Sequence, residues 1–349
     1  MKEIQKKITD KLLLSEINRY PVSLLHGKMG LSIYFFQMSK NETKPEYQSI
    51  AEQLLEQILQ HDLSPNHSID VEEGLAGVGL GVTWLIKNGF VEGDLNEILE
   101  TIDDIIFRRI AFQENQFHFS STKLLGLTGY LIIRQKEQTD TNMRTVYQDL
   151  IIKAMNMLYA KIDDDFLNES YSFSIYHYQL PALLWVISKL IEADFYNYRI
   201  YKILDELRLR ILSRIPLLHS NRLYLLWGLL KLIPCLNQDQ ESWIKHAKLL
   251  HQEISLDEIF ENEMISRKIF ISNGLSAIYI LLHYINCNFP EYRIAFDPQT
   301  IYNKLQSSDA WNALLERDYF YNIHHGLLNG FPGVQLVLSH IKQHYEQNA

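Results

Sequence analysis

The sequence predicts an all-α protein made of about seven repeated helix pairs. Three observations predict it: glycines paired at a period near fifty residues, apolar segments alternating with amphipathic ones, and no sustained period-two pattern of the kind strands show. Glycine is scarce, with 15 in 349 residues, below the ~7% usual in proteins. A chain short of glycine keeps it where the backbone needs it, so its placement is informative.

The pairs follow one another along the chain. "HGKMGLSIYFF" holds Gly27 and Gly30, "EGLAGVGLGVTWLI" holds Gly74 and Gly77, and "LGLTGYLII" holds Gly126 and Gly129. "HYQLPALLWVI" keeps the outline with Tyr178 and Pro181, and "LWGLLKLI" keeps only Gly228. "NGLSAIYILL" has Gly274 with Ala277, and "NGFPGVQLVL" has Gly330 and Gly333. First members fall at 27, 74, 126, 178, 228, 274 and 330, in steps of 47, 52, 52, 50, 46 and 56 residues. Self-similarity at such a period marks a repeat architecture.

Each repeat reads as two helices. In the second, Leu80, Val82, Trp84, Leu85 and Ile86 leave the G-x-x-G helix apolar on nearly every side, as a buried helix is. "DLNEILETIDDIIFRRIAF" has Leu95, Ile98, Leu99, Ile102, Ile105 and Ile106 at helical spacing among charged residues, an amphipathic outer helix. "YQDLIIKAMNMLYAKI" and "YRIYKILDELRLRILSRI" repeat that contrast. Inner apolar helices alternating with outer amphipathic ones close into an (α/α) toroid, here one domain over residues 1–349 with GxxG at the inner-helix starts. Small residues there let a neighbouring helix or a ligand approach the backbone.

The totals exclude several classes. Hydrophobic residues make up 47% of the chain, enough for a sizeable core, and the net charge is −9 without long single-sign blocks. A nucleic-acid footprint needs a basic face. The richest apolar run, Leu223 to Leu236, is broken by Lys231 and is shorter than the ~18–20 residues of a membrane span. The N-terminal "MKEIQKKITDKLLLSEINRY" lacks an apolar core and cleavage site, so no signal peptide is expected. Two cysteines, Cys235 and Cys287, make no disulfide framework and suggest a reducing cytoplasmic setting.

The motifs "SLLHGKMGLSIYFF", "EEGLAGVGLGVTWLIKNGFVEGD" and "GLLNGFPGVQLVL", with the seven-fold spacing, resemble the lanthionine synthetase C-like family, the lanthipeptide cyclases and their relatives. The resemblance covers essentially the whole chain. It implies thioether-ring formation, in which a peptide cysteine thiol adds to a dehydroalanine or dehydrobutyrine. In such cyclases a zinc ion, held by a cysteine in "W-C-Y-G" and a "C-H-G" pair, lowers the thiol pKa from its usual ~8.5. Against that pattern the fifth repeat has Leu226 and Trp227 in place of Cys-Tyr, and the sixth has Ser272 and Asn273 in place of Cys-His. No metal ligand and no cofactor are therefore expected, and the chain becomes a pseudoenzyme candidate.

Other family positions survive. His177 stands where the resemblance places a proton-handling histidine, and Arg222 stands where it places an arginine for the developing enolate. Tyr178, Trp227, Asn273 and His325 are the expected substrate-binding residues, gathered at a mouth of inner-helix starts. Free N–H groups at those starts would favour an enolate, a peptide carboxylate or an acidic leader. The adjacent His324 and His325, like His26, read as helix-start punctuation lining the mouth rather than as ligands. Glu72 and Glu73 suit a helix N-terminus, and Asp163, Asp164 and Asp165 suit a solvated loop. Two function classes stay open: a cyclase relative acting on a ribosomally made peptide, and a scaffold binding a peptide or a partner such as a dehydratase or another peptide-modifying enzyme. A carbohydrate-active barrel, a weaker third reading, needs two opposed carboxylates, and only the second motif has acids beside it.

Overall fold

The computed structural model describes residues 12, 20–42, 44–61, 67–112, 119–317, 320 and 323–348. Apart from Leu12 and Tyr20, the stretch expected to lack a signal peptide lies outside them. Among the described residues every regular element is helical. The main helices are α1 (Lys28–Glu42), α2 (Pro45–Leu59), α3 (Leu75–Lys87), α4 (Glu100–Ala111), α5 (Ser121–Glu137), α6 (Thr141–Tyr159), α7 (Leu180–Ala193) and α8 (Asn197–Leu212). They continue with α9 (His219–Leu232), α10 (Gln240–Gln252), α11 (Leu275–Asn288), α12 (Pro298–Gln306), α13 (Ala310–Glu316) and α14 (Phe331–Asn348). Among the described residues no helix is long and apolar enough to cross a membrane.

Two kinds of helix alternate, for the reason their sequences suggest. Core helix α3 buries Leu75, Val78, Val82 and Leu85 together with Gly77, Gly79 and Gly81, most of its circumference, and leaves Trp84 exposed. Core helices α7 and α9 are similarly buried. Cover helices bury one stripe, such as Tyr47, Ala51, Leu54, Leu55 and Ile58 of α2 or Ile200, Ile203, Leu204, Leu207 and Ile211 of α8. That stripe is what apolar residues at i, i+3 and i+4 produce.

The chain gathers into two compact units. One comprises Met1–Arg109, Ser266–Tyr279 and Asp297–Ala349, the other Ile110–Ile265 and Ile280–Phe296, so two of the borders fall inside α4 and α11. In the first unit α1 packs against α2, α3 and α14, which sets the chain's first and last core helices side by side. Tyr34 of α1 donates to Gln335 of α14, and both are fully buried. In the second unit α5 pairs with α6, α7 packs against α5, α8 and α9, and α9 packs against α10.

The glycines do different things in the two units. In the first, the opening N–H of each core helix donates to the carbonyl seven residues earlier: Lys28 to Pro21 (2.8 Å), Leu75 to Ser68 (2.9 Å), Leu275 to Lys268 (3.0 Å) and Phe331 to His324 (3.0 Å). Folding the loop back this tightly presses its carbonyls onto the helix start. A Cβ on Gly30, Gly77 or Gly333 would lie 2.2, 2.1 or 1.9 Å from the carbonyl oxygen six residues earlier. In the second unit Gly126 and Gly129 lie inside α5 and Gly228 lies inside α9, not at the helix starts expected of them. There the small residue admits a neighbouring helix. A Cβ on Gly228 would meet Pro181 Cα of α7 at 2.8 Å, and one on Gly129 would meet Trp185 at 3.1 Å.

Candidate functional site

The connections that lead from a cover helix into a core helix carry nearly all the polar residues singled out above. In the second unit, α9 starts between two such connections. Backbone N–H groups of Leu217 and Leu218 donate to the Glu169 carboxylate, as does Asn221 Nδ2 (2.8 Å). N–H groups of His219 and Ser220 donate to Glu263 at 2.6 and 2.9 Å. The first turn of a helix leaves such donors unpaired and carries the positive end of its dipole. At α9 the protein's own carboxylates satisfy both, so this start is not the open anion seat that the sequence suggests.

Arg222 sits in the same first turn with its guanidinium engaged inside the protein. Nε donates to Pro216 O at 2.7 Å, Nη1 to Glu253 O at 2.7 Å, and Nη2 to Leu217 O at 3.4 Å. Nη1 also meets His219 Nδ1 at 3.2 Å. These contacts clamp the loop before α9 to the end of α10.

His177 is exposed on the loop before α7. The N–H groups of Tyr176 and His177 donate to Ser174 Oγ at 3.3 and 3.4 Å. The same hydroxyl shares a hydrogen bond with His177 Nδ1 at 3.0 Å. Tyr178 is buried below. Its ring lies 6.3 Å from Tyr224, which stacks on half-buried Trp227 at 5.7 Å. Tyr178 and Trp227, expected to share a site, are thus joined through Tyr224. Burial pushes both phenols well above the usual range, and the Glu169 charge adds to the shift at Tyr178, so they stay protonated. Gln179 Nε2 donates to Thr122 Oγ1 (2.8 Å), tying the start of α7 to that of α5.

In the first unit four connections are laced edge to edge. Leu25 N donates to Glu72 O, Leu327 N to Leu25 O, and Ser272 N to Leu328 O, at 3.3, 3.0 and 3.0 Å. His325 stacks on Tyr20 with centroids 4.1 Å apart, and its Nε2 bonds to His26 O at 2.9 Å. His324 stacks on Phe270 and bonds to Asn329 O at 2.7 Å. The Asn329 amide in turn approaches His26 Nε2 at 3.4 Å. Burial lowers the pKa of His26 and of His324. Asn273 is exposed, whereas Ser272 beside it is buried. Glu73 N donates to the buried Asp70 carboxylate at 2.7 Å.

Residues 1–128 match the family model described as lanthionine synthetase C-like protein. The match supports assignment of the chain to that family. No curated protein matches the chain. The matched segment includes the motifs at Gly27 and Gly74 and ends within the third, after Gly126, whereas all six expected site residues lie beyond it.

Lanthionine synthetase C-like cyclases imply zinc, and the residues here do not fit it. Leu226 is fully buried within α9, two turns past the helix start, and Trp227 belongs to the aromatic cluster. Ser272 and Asn273 supply no thiolate or imidazole. Among the described residues no group of three or more His, Cys, Asp or Glu side chains is arranged to hold a metal ion. Several residues that build these loops were not singled out by sequence. Asp70 had a local signal, an acid three residues before the N–H it caps. Glu169 and Glu263 act 48 and 44 residues away in the chain and had none.

Proposed function

We propose that this lanthionine synthetase C-like protein recognises a ribosomally made peptide through its helix-start connections and performs no zinc-dependent step. One observation carries the reading: the connections are cross-linked into firm surfaces by their own backbone and carboxylates, while Leu226, Ser272 and Asn273 stand where the resemblance would place metal ligands. Preformed surfaces limit the ordering cost of binding. Tyr178, Trp227 and His177 are the binding residues proposed in the second unit, and Asn273 and His325 those in the first. A dehydratase or other peptide-modifying enzyme is the proposed partner, and the cytoplasm the proposed compartment.

A second reading is favoured by His177, whose exposed ring bonds to Ser174 Oγ through Nδ1 at 3.0 Å. In a metal-free addition His177 takes the proton of a peptide thiol, the sulfur bonds to the dehydroalanine β-carbon, the double-bond electrons pass to the α-carbon, and the imidazolium proton ends there. Mass spectrometry with a dehydrated precursor peptide separates the readings. Loss of one free thiol per ring, abolished in His177→Phe, establishes chemistry; unchanged thiols with measurable affinity establish recognition alone. The absence of both would remove the peptide from the function.

A further inference from the structure

The peptide-binding reading above leaves open what kind of peptide is held. Residues 163–178, 213–222 and 253–265 of the second unit carry nine Asp and Glu against two Arg, −7 of the chain's −9. In the first unit, 20–27, 68–74, 324–330 and the remainder of the α10–α11 connection, 266–274, carry three acids against two bases, Arg267 and Lys268. The three charged stretches meet at one place. Glu169 and Ser170 O hold the α9 start from one side, while Glu263 and Glu253 O hold it from the other.

Apolar side chains project from the same stretches. Tyr171 is 107%, Leu217 82%, Ile265 54% and Ile215 49% exposed, a concentration that an isolated surface does not need. At the helix starts beneath, three buried side-chain oxygens have no hydrogen-bond partner: Gln179 Oε1, Ser220 Oγ and Asn221 Oδ1. Ser220 and Asn221 are completely buried. The two amide oxygens are acceptors, so the complement they lack is an N–H or ammonium donor.

We infer that this end of the second unit docks a cationic amphipathic peptide segment, its apolar residues against Tyr171 and Leu217 and its Lys or Arg residues among the carboxylates. An acidic leader, the occupant the helix dipoles alone would suggest, meets repulsion here. Charge of this density speeds encounter and confers salt dependence.

The test uses the full chain and two labelled synthetic peptides of one helical pattern, Leu with Lys and Leu with Glu, followed by fluorescence anisotropy. The Lys peptide binds, and tripling the salt weakens it severalfold. Asp165→Lys with Asp257→Lys weakens it at least tenfold, as does Tyr171→Ser with Leu217→Ser, and unfolding midpoints stay within a degree or so. Glu52→Lys with Glu56→Lys on α2 makes the same charge change in the other unit and leaves affinity unaltered. Equal losses from the two charge pairs, or retention of affinity in the Tyr171/Leu217 variant, would overturn the docking surface. Binding of the Glu peptide alone would overturn the inference while leaving peptide recognition standing. Binding of neither peptide would remove both.

Discussion

A Cβ on Gly333 would sit 1.9 Å from the Leu327 carbonyl oxygen, whereas one on Gly129 would sit 3.1 Å from the edge of Trp185. Backbone cannot retreat as a ring edge can, so Gly333→Ala should cost about 2–3 kcal/mol and Gly129→Ala about 1 kcal/mol or less. Urea unfolding of the two variants checks the order, and equal losses would contradict the loop-contact account. Arg222 makes a second residue-scale prediction. Its guanidinium holds three carbonyls, and hydrogen bonds from a charged donor are worth ~1.5–3 kcal/mol when well buried. Half-exposed as it is, Arg222→Ala should lower stability by about 1–2 kcal/mol. A variant as stable as the wild type that had lost only peptide affinity would restore the arginine to the binding surface.

Helix α10 carries a buried histidine on an otherwise ordinary cover helix. His246 is 5% exposed, and its Nε2 has no partner. Burial lowers its pKa, with a backbone hydrogen bond at Arg214 working weakly the other way. Burial lowers His26 and His324 in the same sense. For a base held below its ordinary value, the unfolded chain takes up protons first as pH falls through ~6.5. Stability should therefore decline from pH 7.5 to 5.5, a window above the carboxylate range, and level off below the folded-state values. His246→Leu should flatten that decline in urea unfolding followed across the window; an unchanged slope would mean that His246 titrates alike in both states. The two kinds of helix were legible because their signal is local, apolar all round or apolar on one stripe. The positions of Gly126, Gly129 and Gly228 were not, since a glycine reads alike whether it admits its own loop or a neighbouring helix.

Across the whole molecule, two of the unit borders run through α4 and α11, while the other two fall in connections at 265–266 and 296–297. We expect limited proteolysis to release neither unit intact, in keeping with the proposal of a single domain over 1–349; a stable fragment ending near residue 110 or 280 would count against it. Chelation is a second test at this scale. Structural zinc contributes on the order of 10 kcal/mol to folding where it is present, so an unchanged unfolding midpoint after chelator treatment, with no stoichiometric zinc by elemental analysis, is the expected result. The sequence by itself determined the helical class, and it displays the glycine spacing near fifty residues and the Leu226, Ser272 and Asn273 that stand where the resemblance would place zinc ligands. These depend on residue type and short spacing, which the chain displays directly. Only the tertiary structure decided that Glu169 and Glu263 fill the start of α9, that Arg222 is held by backbone carbonyls, and that the acids of three separate connections meet. Those outcomes join residues more than thirty positions apart, and such contacts come from how helices pack rather than from any local pattern.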